Sequence, residues 1–151
     1  MENNNLEIKA KIQILKPVAE VFEAIVDPVK MSGYFLESSS GRMEEGKEVQ
    51  WKFPEFNPLV PVRVQKVEKN KYISYFWDQD TTELLVEIKL AEAVDNATIV
   101  TVTEKSMKND EAGIAWLKGN TEGWANFLAC LKAYLEYGIN LRKGAFDFMK
   151  S

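Results

Sequence analysis

The feature that most constrains the fold is a change of hydrophobic period near residue 110. From about residue 36 to residue 104, short runs alternate apolar with polar residues, which is typical of strands with one buried face. From about Glu111 to Tyr137, apolar residues recur at three- and four-residue spacing, which predicts one long helix. Asp110 is its predicted N-cap and Gly138 its predicted stop. We therefore expect a long helix that lies across an antiparallel sheet.

The N-terminal part predicts a strand over Leu6–Ile14, a helix over Pro17–Val26 and a helical turn over Val29–Tyr34. Further strands are predicted over residues 38–43, 49–53, 60–68, 72–77, 84–90 and 98–104. The fold class is α+β, with six to seven strands in a curved antiparallel sheet, a short helical hairpin and the long helix. Three glycines in the first half of that helix predict a kink or break near 119–123.

The length of 151 residues predicts one domain, with a core over about 6–138 and a tail over 139–151. The net charge of −4 and the scattered basic residues do not favour a nucleic acid or an anionic membrane as partner. The polar N-terminus and the lack of a long apolar run predict neither a signal peptide nor membrane insertion. One cysteine, Cys130, fits a reducing compartment, and the protein is expected to be cytoplasmic.

The chain contains no histidine. Histidine is the usual general base near neutral pH and the commonest metal ligand, so its absence excludes Ser-His-Asp and Cys-His catalysis and zinc sites built on imidazole. No cofactor and no metal are predicted. Cys130 is interpreted as a buried, inert thiol.

A curled sheet under one helix leaves space that bulky side chains either fill or line, and both interpretations stay open at this point. If they line it, the space is an apolar pocket with a few polar groups, which is the usual composition of a ligand site. The candidates for such a pocket are Tyr34, Trp51, Phe53, Val62, Tyr75, Trp77, Glu87, Thr101, Trp116, Gly123, Trp124 and Phe127.

Three segments also resemble a known family. The stretch Pro17–Pro28 is similar to the opening helix of START-like (SRPBCC) proteins, and Tyr75-Phe76-Trp77 and Gly123-Trp124 resemble their branch of activator of heat-shock protein 90 ATPase homologue-like proteins. The resemblance covers about residues 6–138 and implies the helix-grip fold. Gly33-Tyr34-Phe35, where members often carry Trp, and the proline-rich loop over 54–61 depart from the family pattern.

The superfamily includes lipid carriers, polyketide cyclases and aromatases, hormone receptors and chaperone co-factors, so the fold alone does not decide the function. The leading hypothesis is non-enzymatic binding of a small apolar or amphipathic ligand of lipid, sterol or polyketide-like type. The first alternative is a protein-interaction module such as a chaperone co-factor, which an exposed patch at Phe146 and Phe148 would favour. The second is an enzyme of cyclase or aromatase type, for which a buried Glu87 or Glu104 would be the evidence.

Overall fold

The computed structural model describes residues 4–150, so Met1–Asn3, to which part of the signal-peptide prediction refers, and Ser151 lie outside the described residues. The strands are β1 (Leu6–Ile14), β2 (Ser38–Ser39), β3 (Glu48–Lys52), β4 (Val60–Glu68), β5 (Tyr72–Gln79), β6 (Thr82–Ala93) and β7 (Ala97–Met107). The α-helices are α1 (Val18–Val26), α2 (Pro28–Met31) and α3 (Glu111–Tyr137), and short 3-10 turns cover Val94–Asn96 and Asp147–Met149.

The seven strands form one antiparallel sheet in the order β1-β7-β6-β5-β4-β3-β2. Strands β2 to β7 follow one another as a meander, and β1 joins the free edge of β7, where Ile12 lies opposite Val100. Together with the helical hairpin after β1 and the long final helix, this is the helix-grip fold, so the predicted fold class is confirmed.

Pro28 shapes the helical hairpin. The side chain of Asp27 caps α2 by accepting a hydrogen bond from the N–H of Val29 at 2.8 Å. The carbonyl of Ala24 would normally accept from residue 28, but proline has no N–H. The buried hydroxyl of Tyr34 donates to that carbonyl at 2.7 Å instead, so Tyr34 ties the hairpin to α1.

Helix α3 begins and ends where the sequence predicts. Asp110 accepts a hydrogen bond from the N–H of Gly113 at 2.8 Å, and Gly138 ends the helix with a φ of 67°. The predicted break near 119–123 is wrong, because α3 is continuous from Glu111 to Tyr137. Packing of one face on the sheet and on α1 outweighs the weak helix propensity of glycine.

The predicted strand over 38–43 is shorter than expected. Only Ser38–Ser39 pairs with β3 as a strand, and one further hydrogen bond runs from the N–H of Ser40 to the carbonyl of Gln50 at 3.0 Å. The N–H of Met43 donates to the carbonyl of Val26 at 3.1 Å, and the guanidinium of Arg42 pairs with Glu23 at 2.7 Å. The end of this segment is therefore bound to α1 rather than to the sheet edge.

The core lies between the concave face of the sheet and the three helices. Its largest fully buried side chains include Trp51, Tyr34, Tyr75, Met31 and Leu131. Cys130 is buried as predicted, and burial raises the pKa of its thiol. Within residues 4–150, no helix is both long and apolar enough to span a bilayer.

Candidate functional site

A cavity of about 410 Å³ opens between α3 and the concave face of the sheet. The residues that line it come from the sheet, from α3, from the segment between α2 and β2, from the loop between β3 and β4, and from the segment after α3. They are Phe35, Phe53, Phe56, Val60, Trp77, Asp78, Gln79, Leu84, Glu104, Asn120, Gly123, Trp124, Arg142 and Met149. The lining is thus mainly apolar and aromatic, with a few charged and amide groups.

Glu104 is a fully buried carboxylate in the cavity wall, with an exposure of 0%. It shares the inward face of β7 with Val100 and Val102, because side chains two residues apart point to the same side of a strand. The alternation that builds the core therefore places a charged residue at an otherwise apolar position.

Three N–H groups meet this carboxylate. The indole of Trp77 in β5 donates to Oε2 at 2.7 Å, and the indole of Trp124 in α3 donates to Oε1 at 2.8 Å. The amide of Asn120, one helical turn before Trp124, donates to Oε1 at 3.1 Å. A buried polar group is tolerated when hydrogen bonds replace its lost hydration, and these three donors supply them.

The aromatic rings of the cavity pack edge to face or tilted against one another. The ring centres of Trp77 and Trp124 are 5.8 Å apart, and Phe35 meets Phe53 edge-on at 5.2 Å. Phe35 also lies 6.5 Å from Trp124, so these rings form one continuous wall. Such faces offer a large apolar contact surface to a ligand.

Deeper aromatic residues fill the core and do not line the cavity. Trp51, Tyr75 and Tyr34 are at most 2% exposed. The indole N–H of Trp51 and the hydroxyl of Tyr75 have no hydrogen-bond partner among residues 4–150. Burial, helped by the nearby charge of Glu104, holds the pKa of Tyr75 well above its usual value, and burial does the same to the pKa of Tyr34.

The segment after α3 folds back over one end of the cavity. Nη2 of Arg142 lies 3.1 Å from Oε2 of Glu55 in the β3–β4 loop, and the side chains are 15% and 4% exposed, respectively. The guanidinium also lies over the rings of Phe35, Phe53 and Phe146. The segment after α3 is therefore held against the body of the domain through Arg142.

The structure divides the predicted pocket residues into three groups. Phe53, Trp77, Gly123 and Trp124 line the cavity. Tyr34, Trp51, Val62, Tyr75, Trp116 and Phe127 are buried in the core and are not part of the cavity wall. Four of the predicted residues therefore line the cavity, and six fill the core beneath it.

The remaining two candidates, Glu87 and Thr101, lie on the outer face of the sheet and not in the cavity wall. Glu87 accepts a hydrogen bond from the hydroxyl of Tyr72 at 2.5 Å and lies 3.7 Å from Nζ of Lys105. Thr101 lines a shallow surface groove with lysine side chains on the outer face of the sheet. Both alternate with buried residues such as Val86 and Val102, so strand parity turns them outward.

Sequence reasoning missed several residues of the wall. Glu104 was named for its possible burial but not placed in the pocket, although its parity with Val100 and Val102 was a usable signal. No sequence pattern indicated that Arg142 and Met149 reach the cavity, because their positions depend on how the chain turns after Gly138. Within residues 4–150, no three Cys, Asp or Glu side chains are grouped so that they could hold a metal ion.

A family model for "Activator of Hsp90 ATPase homolog 1-like protein" matches residues 16–136. The chain belongs to this family. The predicted resemblance is thereby confirmed over residues 16–136. The segment after residue 136, which includes Arg142, lies outside the match. No curated protein matches this family member significantly.

Solved structures agree with the fold of this activator-homologue family member. A protein from Staphylococcus saprophyticus, SSP2350, is 36% identical, with a TM-score of 0.80 over 91% of this chain and 96% of its own. The Aha1 dimer from Colwellia psychrerythraea is 20% identical, with a TM-score of 0.75 over 88% of this chain and 98% of its own. DynU16, described as a putative protein in the dynemicin biosynthetic locus, is 24% identical with a TM-score of 0.79 over 88% of this chain, which spans only 48% of DynU16.

Proposed function

We propose that this protein binds a small hydrophobic or amphipathic ligand, of lipid, sterol or polyketide-like type, without chemically changing it. The observation that carries the proposal is the aromatic cavity of about 410 Å³ between the sheet and α3. This volume falls within the range of roughly 300–1,000 Å³ that is usual for small-molecule sites. The function follows from the combination of an apolar wall and few polar groups.

The wall supports binding because its shape is held by contacts that do not involve a ligand. Trp77 and Trp124 are fixed from two sides, by ring packing against each other and by their hydrogen bonds to Glu104. Gly123, between Asn120 and Trp124 on the helix, has no side chain that would close the gap. A ligand therefore meets rigid aromatic faces and loses little binding energy to their reorganisation.

Native mass spectrometry and NMR chemical-shift perturbation test the proposal with a panel of fatty acids, sterols and aromatic polyketides. The expected result is a one-to-one complex, with the largest shifts at the indole N–H groups of Trp77 and Trp124. Shifts confined to Trp116, which lies outside the cavity wall, would point to another site. If no member of the panel binds, the proposal is wrong.

A second candidate function is catalysis, and the burial of Glu104 is the observation that favours it. A carboxylate offers about four acceptor positions, and three of those of Glu104 are occupied, which leaves one on Oε2. Such a group could accept a proton from a bound substrate. Incubation with polyketide-like substrates tests this, because cyclisation followed by dehydration releases one water, so the wild type would give a product lighter by one water and the E104Q variant would not.

A third candidate, a protein-interaction module, is favoured by exposed apolar side chains in the segment after α3. Phe148 is 82% exposed, and Ile139 and Leu141 are about half exposed. Phe146 is instead partly covered and packs against Arg142. ATPase assays with purified Hsp90 distinguish this candidate, because stimulation by the wild type and its loss in F148S would support it.

A further inference from the structure

The chain continues beyond the family match, and this continuation forms part of the cavity. The match ends at residue 136, yet Arg142 and Met149 belong to the cavity lining. Gly138 adopts a φ of 67°, which lets the chain reverse direction after α3. The segment therefore adds a cationic side chain, the guanidinium of Arg142, to the cavity wall.

Arg142 uses little of its hydrogen-bonding capacity. A guanidinium carries five N–H donors in a planar fork. Within residues 4–150 its one hydrogen bond runs from Nη2 to Oε2 of Glu55 at 3.1 Å, and its buried Nε–H has no partner. A buried donor without an acceptor is uncommon in folded proteins and calls for an explanation.

The surroundings of Arg142 show which acceptor fits. Glu55 is itself a carboxylate and is only 4% exposed, so this position already accommodates a planar anion out of water. The rings of Phe35 and Phe53 lie within 6 Å of the guanidinium carbon, and both rings also line the cavity. An anion on a ligand whose apolar part lies against these rings would reach the guanidinium.

We propose that Arg142 binds the anionic headgroup of an amphipathic ligand, and that a ligand carboxylate takes a place on the guanidinium beside Glu55 or instead of it. This inference rests on the proposed function and narrows it to ligands with an acidic group. An Arg–carboxylate pair with two parallel N–H···O bonds would use the donors that Glu55 leaves free.

A cationic ligand held by Glu104 is the competing possibility, and the geometry disfavours it. Glu104 is 0% exposed and already accepts hydrogen bonds from three N–H groups. Only one acceptor position, on Oε2, is left for a cation. Arg142, by contrast, has donors to spare at the end of the cavity.

Quenching of tryptophan fluorescence measures the affinity for three probes with the same tail: decanoate, 1-decanol and decyltrimethylammonium. The probes are added below their aggregation limits to the wild type, R142Q, E55Q and the double variant E55Q/R142Q. The matched control is R42Q, which breaks an exposed arginine–glutamate pair whose residues do not line the cavity. The readout is the ratio of decanoate to decanol affinity within each variant.

We expect the wild type and R42Q to bind decanoate at least about tenfold more tightly than decanol, as a charge-assisted hydrogen bond implies. In R142Q and in the double variant the ratio falls to about one. In E55Q it rises, because the competing carboxylate is gone. Thermal unfolding of the double variant, which has no unpaired buried charge, shows whether the fold is kept.

Each other outcome overturns a specific claim. A decanoate-to-decanol ratio near one in the wild type, or a ratio unchanged in R142Q, would sink the headgroup role of Arg142 while the cavity still binds decanol. Tighter binding of decyltrimethylammonium would assign recognition to Glu104 instead. If none of the three probes binds, the proposed function fails together with this inference.

Discussion

Glu104 and Trp124 are joined by a hydrogen bond of 2.8 Å that crosses from β7 to α3. This bond links the sheet to the helix layer inside the cavity wall. The wall around it is mainly apolar, and the carboxylate of Glu104 is fully buried there. In such surroundings a hydrogen bond to a charged group contributes more than one at the surface. The position of α3 on the sheet therefore depends on a polar group in an otherwise apolar core.

Replacing Glu104 with glutamine tests this dependence. The amide keeps one oxygen but replaces the other with an NH₂ group, which cannot accept from an indole N–H. The free energy of unfolding, measured with urea, is expected to fall by about 1–3 kcal/mol. The control E92Q changes an exposed carboxylate of β6 and is expected to stay within about 0.5 kcal/mol of the wild type. Equal effects of the two variants would contradict the role of Glu104.

Two buried tyrosines form a matched pair for a second test. The hydroxyl of Tyr34 serves the carbonyl of Ala24, which Pro28 leaves without a helical donor, whereas the hydroxyl of Tyr75 has no partner among residues 4–150. We expect Y34F to lower the free energy of unfolding by about 1–3 kcal/mol and Y75F to leave it nearly unchanged. Urea unfolding at neutral pH measures both, and a larger loss in Y75F would reverse the assignment.

The same tyrosines predict the response to alkaline pH. Burial holds the pKa of both Tyr34 and Tyr75 well above the ordinary value near 10, so the unfolded chain loses these protons at a lower pH than the folded chain. Stability is therefore full below about pH 10 and falls above it, by up to about 1.4 kcal/mol per pH unit for each tyrosine. Urea unfolding between about pH 9 and pH 11 should show a shallower decline in Y75F, and an unchanged slope would argue against the shift.

Two glycines of α3, Gly113 and Gly119, differ in how closely other atoms surround them. A Cβ at Gly113 would lie 1.9 Å from the carbonyl oxygen of Lys108, whereas one at Gly119 would meet nothing within 4 Å. We expect G113A to destabilise the protein by about 1–3 kcal/mol and G119A to stabilise it by about 0.5–1 kcal/mol. Thermal unfolding of both variants checks this, and a loss of stability in G119A would show that the helix needs its glycine there.

The sequence predicted those features that depend on neighbours in the chain. Asp110 and Gly138 are local signals for a helix start and stop, and the structure places the ends of α3 at these residues. The continuity of α3 was not predictable from glycine propensity, because contacts with β1, β7 and α1 hold the helix together. The inward and outward faces of β6 and β7 could have been predicted from parity, which separates Glu104 from Thr101.

The end of the cavity shows where sequence reasoning reaches its limit. Glu55 and Arg142 are 87 positions apart, and nothing near either residue indicates that they meet. Their contact depends on the reversal after Gly138 and on the course of the proline-rich loop, which are properties of the assembled fold. Of the five aromatic residues in the cavity wall, three are among the sequence-predicted candidates, whereas none of its three charged residues is.

Filling the cavity with a side chain from α3 tests directly whether a ligand binds between the sheet and this helix. Gly123 faces the cavity and Gly119 does not, and each has free space around the position of a Cβ. Binding of a ligand such as decanoate is therefore measured by calorimetry in the wild type, G123L and G119L, with thermal unfolding as the check on folding. We expect G123L to stay folded and to lose at least about tenfold in affinity, and we expect G119L to bind like the wild type. Equal affinity in all three proteins would contradict a ligand site between the sheet and α3.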